Sequence, residues 1–123
     1  MKHLLVANRE QSKKRSLTLG RLTRTQILAV LNHNADEIKE RFHVQSLGLF
    51  GSYVRDEARP RSDVDILVEF ASPTFDAYMD LKFFLEDIFC KKVDLVMADT
   101  LKPRIKPTIM KEVQYAQGLQ AVP

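Results

Sequence analysis

Residues 50–68 read FGSYVRDEARPRSDVDILV. In this stretch one apolar strand pattern ends in a glycine-serine turn at Gly51 and Ser52, and a second strand pattern begins with Asp63 and Asp65. Because side chains alternate between the two faces of a strand, Asp63 and Asp65 are expected to project from the same side. The stretch therefore predicts two strands that bring a turn and a pair of carboxylates to one edge of a sheet.

A third carboxylate, Asp94, lies in a later strand pattern that reads VDLV over residues 93–96. Carboxylate oxygens are hard ligands that suit Mg²⁺, so Asp63, Asp65 and Asp94 are the predicted metal ligands. The turn at Gly51 and Ser52 can offer backbone N–H groups and a hydroxyl to phosphate oxygens. Glycine suits position 51 because it lets the backbone approach a phosphate and tolerates positive φ. The pattern predicts a site for a metal and a nucleotide.

Transfer of a nucleotidyl group explains why these residue types occur together. In such a reaction a hydroxyl attacks the α-phosphorus of a nucleoside triphosphate and expels pyrophosphate, with two divalent metals about 4 Å apart. We expect Asp63 and Asp65 to bridge two Mg²⁺ ions. We expect Asp94 to complete the metal on the nucleophile side and to accept the proton. Gly51 and Ser52 would hold the terminal phosphates.

The composition is that of one small cytoplasmic domain. The chain has 123 residues, of which 45% are hydrophobic, and this length supports one domain with a modest core. The single cysteine, Cys90, excludes an internal disulfide framework and fits a reducing compartment. No apolar run approaches the roughly 20 residues that span a bilayer, and no signal-peptide pattern begins the chain, so we expect no membrane association.

The net charge of +3 is unevenly distributed. Residues 1–22 carry six basic residues and one acidic residue, which is +5 and leaves about −2 for the rest. We predict a basic, disordered leader over residues 1–22, which an upstream start codon could also explain. The alternative is a tail that contacts nucleic acid or an acidic partner. Because the predicted folded body is not basic, nucleic-acid binding is not expected of it.

The periodicity predicts alternating helices and strands. A capping box at Thr23 and Gln26 predicts a helix that runs to about Arg41. The other predicted elements are strands over 44–50, 63–70 and 92–97, a short helix over 52–58, a helix over 74–90 and a C-terminal helix over 108–117 that ends at Gly118. These predict an α/β (α+β) fold, a small mixed sheet with helices mainly on one face. The predicted domain covers residues 23–118, and residues 119–123 form a tail.

The central motif also resembles that of a known family. Gly51-Ser52, ten intervening residues and Asp63-Val64-Asp65 resemble the GS-x10-D-x-D signature of the DNA polymerase β-like nucleotidyltransferases. The sequence around this motif, together with KVDLV at 92–96 and LKPRI at 101–105, is similar to that of the minimal nucleotidyltransferases, or MNT proteins. The resemblance covers about residues 25–118 and implies the polymerase β-like nucleotidyltransferase fold.

The resemblance implies a narrower activity than the motif alone. MNT proteins are typically antitoxins encoded beside a HEPN-domain ribonuclease toxin, and they silence it by transferring AMP from ATP to a toxin tyrosine. Carried over, Gly51 and Ser52 are nucleotide-binding residues, and Asp63, Asp65 and Asp94 are catalytic metal ligands. The implied protein is a Mg²⁺-dependent protein adenylyltransferase with ATP as substrate and a HEPN toxin as partner.

Residues beside the motif leave some interpretations open. Arg55 follows Ser52 by one helical turn and could reach a phosphate, or it could pair at the surface with Asp56 or Glu57. Two residues depart from the commonest family pattern: Asp56 stands where a glycine often follows the arginine, and Arg61 stands where a small or acidic residue is frequent. These departures bear on the rate and on the nucleotide preference.

Two other functions compete with the adenylyltransferase hypothesis. A non-enzymatic antitoxin would neutralise the toxin by binding alone and keep the site as a relic. A nucleotidyltransferase for a small hydroxylated molecule would need no protein partner. Roughly 95 folded residues leave little room for a second substrate-recognition domain, which favours a partner protein that supplies the acceptor hydroxyl. Homo-oligomerisation stays open.

Overall fold

A computed structural model describes residues 22–120 of the chain. The described helices are α1 (Arg24–His33), α2 (Ala35–Phe42), α3 (Phe75–Phe89) and α4 (Lys106–Glu112), and the described strands are β1 (Val44–Phe50), β2 (Val64–Phe70), β3 (Val93–Met97) and β4 (Gln114–Tyr115). One-turn 3-10 helices follow β1 at Gly51–Tyr53 and β3 at Ala98–Thr100. The predicted leader, apart from Leu22, lies outside the described residues.

The strands form one mixed sheet in the order β3-β2-β1-β4. β1 pairs with β2 and with β4 in antiparallel orientation, whereas β2 and β3 are parallel. Helix α3 makes the crossover that a parallel pair requires. The predicted fold class, a small mixed sheet in an α/β arrangement, is confirmed.

The two faces of the sheet are covered unequally. The main core joins buried residues of α1, α2 and α3 to alternate strand residues, among them Leu47, Leu49, Val64, Ile66 and Leu95. A smaller cluster of Phe50, Leu67 and Ala98 lies on the other face, where α4 contributes Ile109. The carboxylate positions 63, 65 and 94 alternate with main-core residues, so they belong to this less covered face. In residues 22–120, no helix has both the length and the apolar character needed to cross a membrane.

The single helix predicted from Thr23 to Arg41 is two helices in the structure. The capping box at its start is confirmed: Gln26 N–H donates to Thr23 Oγ1 at 3.1 Å, and Thr23 N–H donates to Gln26 Oε1 at 3.0 Å. The break falls at Asn34, where the amide side chain donates to the Val30 carbonyl at 2.8 Å. A short polar side chain that bonds to the local backbone competes with helical hydrogen bonding, which is why asparagine favours helix ends.

The C-terminal helix predicted over 108–117 was wrong in its bounds. Helix α4 starts at Lys106, with Pro107 in its first turn, and ends at Glu112. The chain then forms β4, which pairs with β1 where Tyr115 lies opposite Gly48. A Cβ on Gly48 would lie 2.6 Å from Val113 Cγ2, so glycine lets the last strand approach the sheet.

The core also extends past the predicted domain end at residue 118. Leu119, predicted as the first residue of the tail, is fully buried. The Leu47 N–H donates to the Leu119 carbonyl at 2.8 Å. The apolar side chain and this backbone hydrogen bond join residue 119 to the domain.

Candidate functional site

The predicted carboxylates lie along the edge where β2 and β3 begin. Asp65 and Asp94 are direct neighbours in the parallel register, so their side chains share one face of the sheet. Asp63 precedes β2 in a loop that the Arg59 N–H closes by donating to Ser62 Oγ at 2.8 Å. Asp65 is partly buried, whereas Asp63 and Asp94 are exposed. One carboxylate is thus desolvated beside two that face solvent.

This arrangement changes the acidity of Asp65. Burial, followed by the charges of Asp94 and Asp63, raises the pKa of Asp65 from its ordinary value of 3.8 to about 6. The charge of Arg55 acts in the opposite direction, and a hydrogen bond with Asp94 adds to the rise. The negative charges of Asp63 and Asp94 therefore outweigh the positive charge of Arg55 in their effect on Asp65.

The donor chemistry of these side chains fits a divalent cation. Carboxylate oxygens are preferred ligands of Mg²⁺, and a cation here would offset the charge that raises the pKa of Asp65. Within residues 22–120, however, no three acidic, histidine or cysteine side chains are grouped closely enough to hold a metal. The structure brings Asp65 and Asp94 together, while Asp63 acts on Asp65 through its charge.

The glycine-serine turn packs directly against Asp65. Gly51 is buried and has a φ of +80°, and a Cβ at this position would collide with the Asp65 carboxylate. The short helix predicted over 52–58 is a 3-10 helix over Gly51–Tyr53, whose turn is closed by the N–H groups of Val54 and Arg55 donating to the Gly51 carbonyl. Ser52 is half-buried beside it. The turn and the carboxylate are therefore one packed unit, and only glycine fits between them.

Arg55 and Gly51 share an acidic partner that the sequence did not reveal. The Gly51 N–H donates to Glu112 Oε2 at 2.7 Å, and Arg55 Nη1 donates to the same carboxylate at 3.0 and 3.2 Å. Arg55 Nε also donates to Glu57 at 2.9 Å, as one of the two interpretations expected. The hydrogen bonds with Glu57 and then Glu112 raise the pKa of Arg55. Sixty-one residues separate Gly51 from Glu112, so no local pattern signals this contact.

Asp56 has a backbone conformation that favours glycine. Asp56 has a φ of +59°, in the left-handed region, where a side chain costs free energy that glycine does not. We expect Asp56→Gly to raise the free energy of unfolding by about 0.5 to 1 kcal/mol. Chemical denaturation of both proteins measures the difference. Asp56→Ala is the matched control, since it removes the carboxylate and keeps the strain; an equal gain from alanine would contradict the backbone explanation.

Comparison with known protein families and sequences gives consistent matches. Residues 32–116 match the family described as nucleotidyltransferase domain. The chain is 43% identical over 98 residues to the protein adenylyltransferase MntA of Thermococcus cleftensis. This match covers 79% of this chain and 99% of that protein. It is 38% identical over 95 residues to a candidate protein adenylyltransferase of Methanocaldococcus jannaschii, with 76% of this chain and 97% of that protein covered.

Solved structures show the same similarity. A candidate minimal nucleotidyltransferase superposes with a TM-score of 0.61 and 28% identity, covering 77% of this chain and 97% of that one. A toxin–antitoxin complex with AMP-PNP gives 0.58 at 21% identity, over 74% and 73%. A complex of tri-AMPylated Shewanella oneidensis HEPN toxin with MNT antitoxin gives 0.54 at 19% identity, over 77% and 73%. At these identities the last two matches establish the fold alone.

Proposed function

This chain belongs to the nucleotidyltransferase domain family, and from that premise we propose that it is an antitoxin that transfers AMP from ATP to a tyrosine hydroxyl of a cognate HEPN ribonuclease toxin. The observation that carries the proposal is the packing of the Gly51 turn against Asp65, with Asp94 beside it in the parallel register. A turn with polar donors beside a carboxylate pair supports the proposal, because nucleotidyl transfer needs phosphate-binding groups next to metal ligands.

The proteins that resemble this chain support the choice of acceptor. The Thermococcus cleftensis relative is named a protein adenylyltransferase, and one structural neighbour contains a HEPN toxin that carries AMP groups. The exposure of Asp63 and Asp94 agrees with a protein substrate, because small molecules are usually bound in concave pockets that bury most of their surface. An open edge of a sheet can instead receive a side chain presented by another protein.

Substrate binding follows from the donors around the turn. The Gly51 N–H, the Ser52 hydroxyl and the Arg55 guanidinium would hold the terminal phosphates of ATP, through charge-assisted hydrogen bonds. Mg²⁺ held by Asp63, Asp65 and Asp94 would neutralise the triphosphate and polarise its α-phosphate. The left-handed φ at Gly51 keeps the turn close to the Asp65 carboxylate, so bound phosphates would lie next to the proposed metal ligands.

The transfer step moves one proton and exchanges one bond. The tyrosine oxygen of the toxin forms a bond to the α-phosphorus of ATP, and the bond from that phosphorus to the bridging oxygen of the leaving group breaks. Pyrophosphate departs with the electron pair of that bond. The phenolic proton would pass to the Asp94 carboxylate, which is exposed to solvent. The products are an AMP–tyrosine ester and pyrophosphate.

Intact-mass spectrometry of the neighbouring gene's product tests this function directly. Co-expressed with the unmutated protein, the toxin should gain one or more AMP masses; with the Asp63→Asn, Asp65→Asn double variant it should gain none and stay active. An Asp76→Asn, Asp80→Asn variant is the matched control, since it neutralises two exposed aspartates of α3. Peptide mapping of the modified toxin would locate the acceptor.

The same experiment separates the other two functions. Neutralisation by the double variant, with a stable complex and no added mass, would replace our proposal with inhibition by binding. Transfer of AMP to a small hydroxylated compound in the absence of any protein partner would indicate the small-molecule enzyme.

A further inference from the structure

The carboxylate of Glu112 is hydrogen-bonded to both the glycine-serine turn and the Arg55 guanidinium. It accepts the Gly51 N–H at 2.7 Å and two contacts from Arg55 Nη1 at 3.0 and 3.2 Å. These two donors are the ones that the proposed function assigns to the terminal phosphates of ATP, so the inference rests on that function. Glu112 belongs to α4, far along the chain from the glycine-serine turn.

The Gly51 N–H has one hydrogen to donate, so a carboxylate and a phosphate compete for it, and both anions attract the Arg55 guanidinium. The planar guanidinium and a backbone N–H bind either anion through the same kind of charge-assisted hydrogen bond. A second anion placed beside Glu112 would be repelled by it, and the nearby charges of Asp65 and Asp94 already make this edge of the sheet acidic. An acidic side chain at this position would therefore weaken triphosphate binding unless it leaves.

We propose that Glu112 is a positioning residue that stands in for a terminal phosphate of the nucleoside triphosphate and is displaced when the triphosphate binds. In the ligand-free enzyme it holds the Gly51 turn and the Arg55 side chain in their binding positions. On binding, each donor exchanges a carboxylate oxygen for a phosphate oxygen. Glu112 then turns toward solvent and no longer bonds to Gly51.

The surroundings of Glu112 allow this exchange. Its backbone is held at the end of α4, and β4 follows two residues later, paired with β1 at Tyr115 and Gln114. Only the side chain needs to rotate. The Glu112 side chain is 17% exposed and that of Arg55 is 47% exposed, so the ion pair has a solvent side from which an anion can enter. The contact couples the C-terminal segment to occupancy of the nucleotide site.

Measuring affinity for a nucleotide that cannot react tests the proposal. We use α,β-methylene-ATP with Mg²⁺, titrated into the full chain by calorimetry. Glu112→Gln keeps the shape of the side chain and removes its charge, and it should bind the analogue roughly tenfold more tightly, because the neutral competitor holds the donors less strongly. If Glu112 only supported the turn, the same variant would bind more weakly. Glu57→Gln is the matched control: it removes the other carboxylate on Arg55 without touching Gly51, and should change the affinity much less.

The amide resonance of Gly51 gives a second measurement that a general charge effect would not mimic. In the free protein an N–H that donates to a carboxylate resonates downfield, so Glu112→Gln and Glu112→Ala should shift the Gly51 signal upfield. With the analogue bound, the signals of the unmutated protein and both variants should coincide. Signals that stay different would overturn the displacement, as would equal or weaker binding by both Glu112 variants while the unmutated protein binds. Absence of binding by every protein would overturn the proposed function together with this inference.

Discussion

Asp65→Asn is expected to reduce AMP transfer by at least about 1,000-fold. If Asp65 is the metal ligand we propose, its loss removes several kcal/mol of transition-state stabilisation, and each 1.36 kcal/mol is a factor of ten. Asparagine has nearly the same shape, so the packing against Gly51 persists. Single-turnover transfer to purified toxin measures the effect. Asp80→Asn, on the exposed side of α3, provides the control with the same change in charge.

Although Asp65→Asn should lower the rate of transfer, it should raise the stability of the folded protein when no metal is present. The pKa of Asp65 is raised in the folded state from 3.8 to about 6. The contribution of this group to the free energy of unfolding is therefore fully present below pH 3.8 and is lost as the pH rises through about 6. At pH 7.5 in EDTA the ionised carboxylate destabilises the fold, and Asp65→Asn should raise the Tm. With Mg²⁺ the order should reverse, because a metal bound at the proposed site would stabilise the unmutated protein. A lower Tm for the variant in EDTA would contradict the assigned cause of the pKa shift.

Gly51→Ala is expected to cause the second large loss. The backbone has a φ of +80°, and the new Cβ would meet the Asp65 carboxylate. Left-handed strain and overpacking together should lower the free energy of unfolding by about 2 to 4 kcal/mol. A catalytic carboxylate displaced by about 1 Å costs on the order of 100-fold in rate. Denaturation and single-turnover transfer measure the two effects.

Gly118 offers a matched control for this substitution. Its φ is +83°, yet a Cβ there would meet nothing within 4 Å. Gly118→Ala should therefore cost about 1 to 2 kcal/mol in stability from strain alone and leave transfer at the unmutated rate. An equal loss in free energy of unfolding for the two alanine variants, with transfer retained by both, would show that the contact between Gly51 and Asp65 is not needed for function.

Features with a local cause could be predicted from the sequence. Apolar runs located β1, β2 and β3 to within one residue, because strand alternation is visible in a few neighbouring side chains. The start of α1 followed from the capping box at Thr23, and the observed positive φ of Gly51 agrees with the expectation that glycine at this position tolerates it. The spacing of Asp63 and Asp65, with Asp94 in a later strand, indicated one shared face before the register was known.

Features that depend on distant residues could not be predicted. Helix periodicity continues across Asn34, so the break appears only when its side chain is seen to bond to Val30. β4 is two residues long, and its pairing depends on space at Gly48. Glu112 looks like an ordinary helix residue until the fold brings it to Gly51. Each of these is decided by a partner elsewhere in the chain.

The length of α3 sets where the third carboxylate lies. Fifteen helical residues span about 22 Å at 1.5 Å each, and the seven residues of β2 span about 23 Å at 3.3 Å each. The helix thus returns the chain to the level at which β2 began, and Asp94 arrives level with Asp65. Burial of Val93 and Leu95 fixes which face of β3 packs on the core, so Asp94 stays on the opposite face and a deletion in this crossover would have to be absorbed at the ends of α3. The length of α3 therefore matches the span of β2, and this match places the Asp94 carboxylate beside that of Asp65.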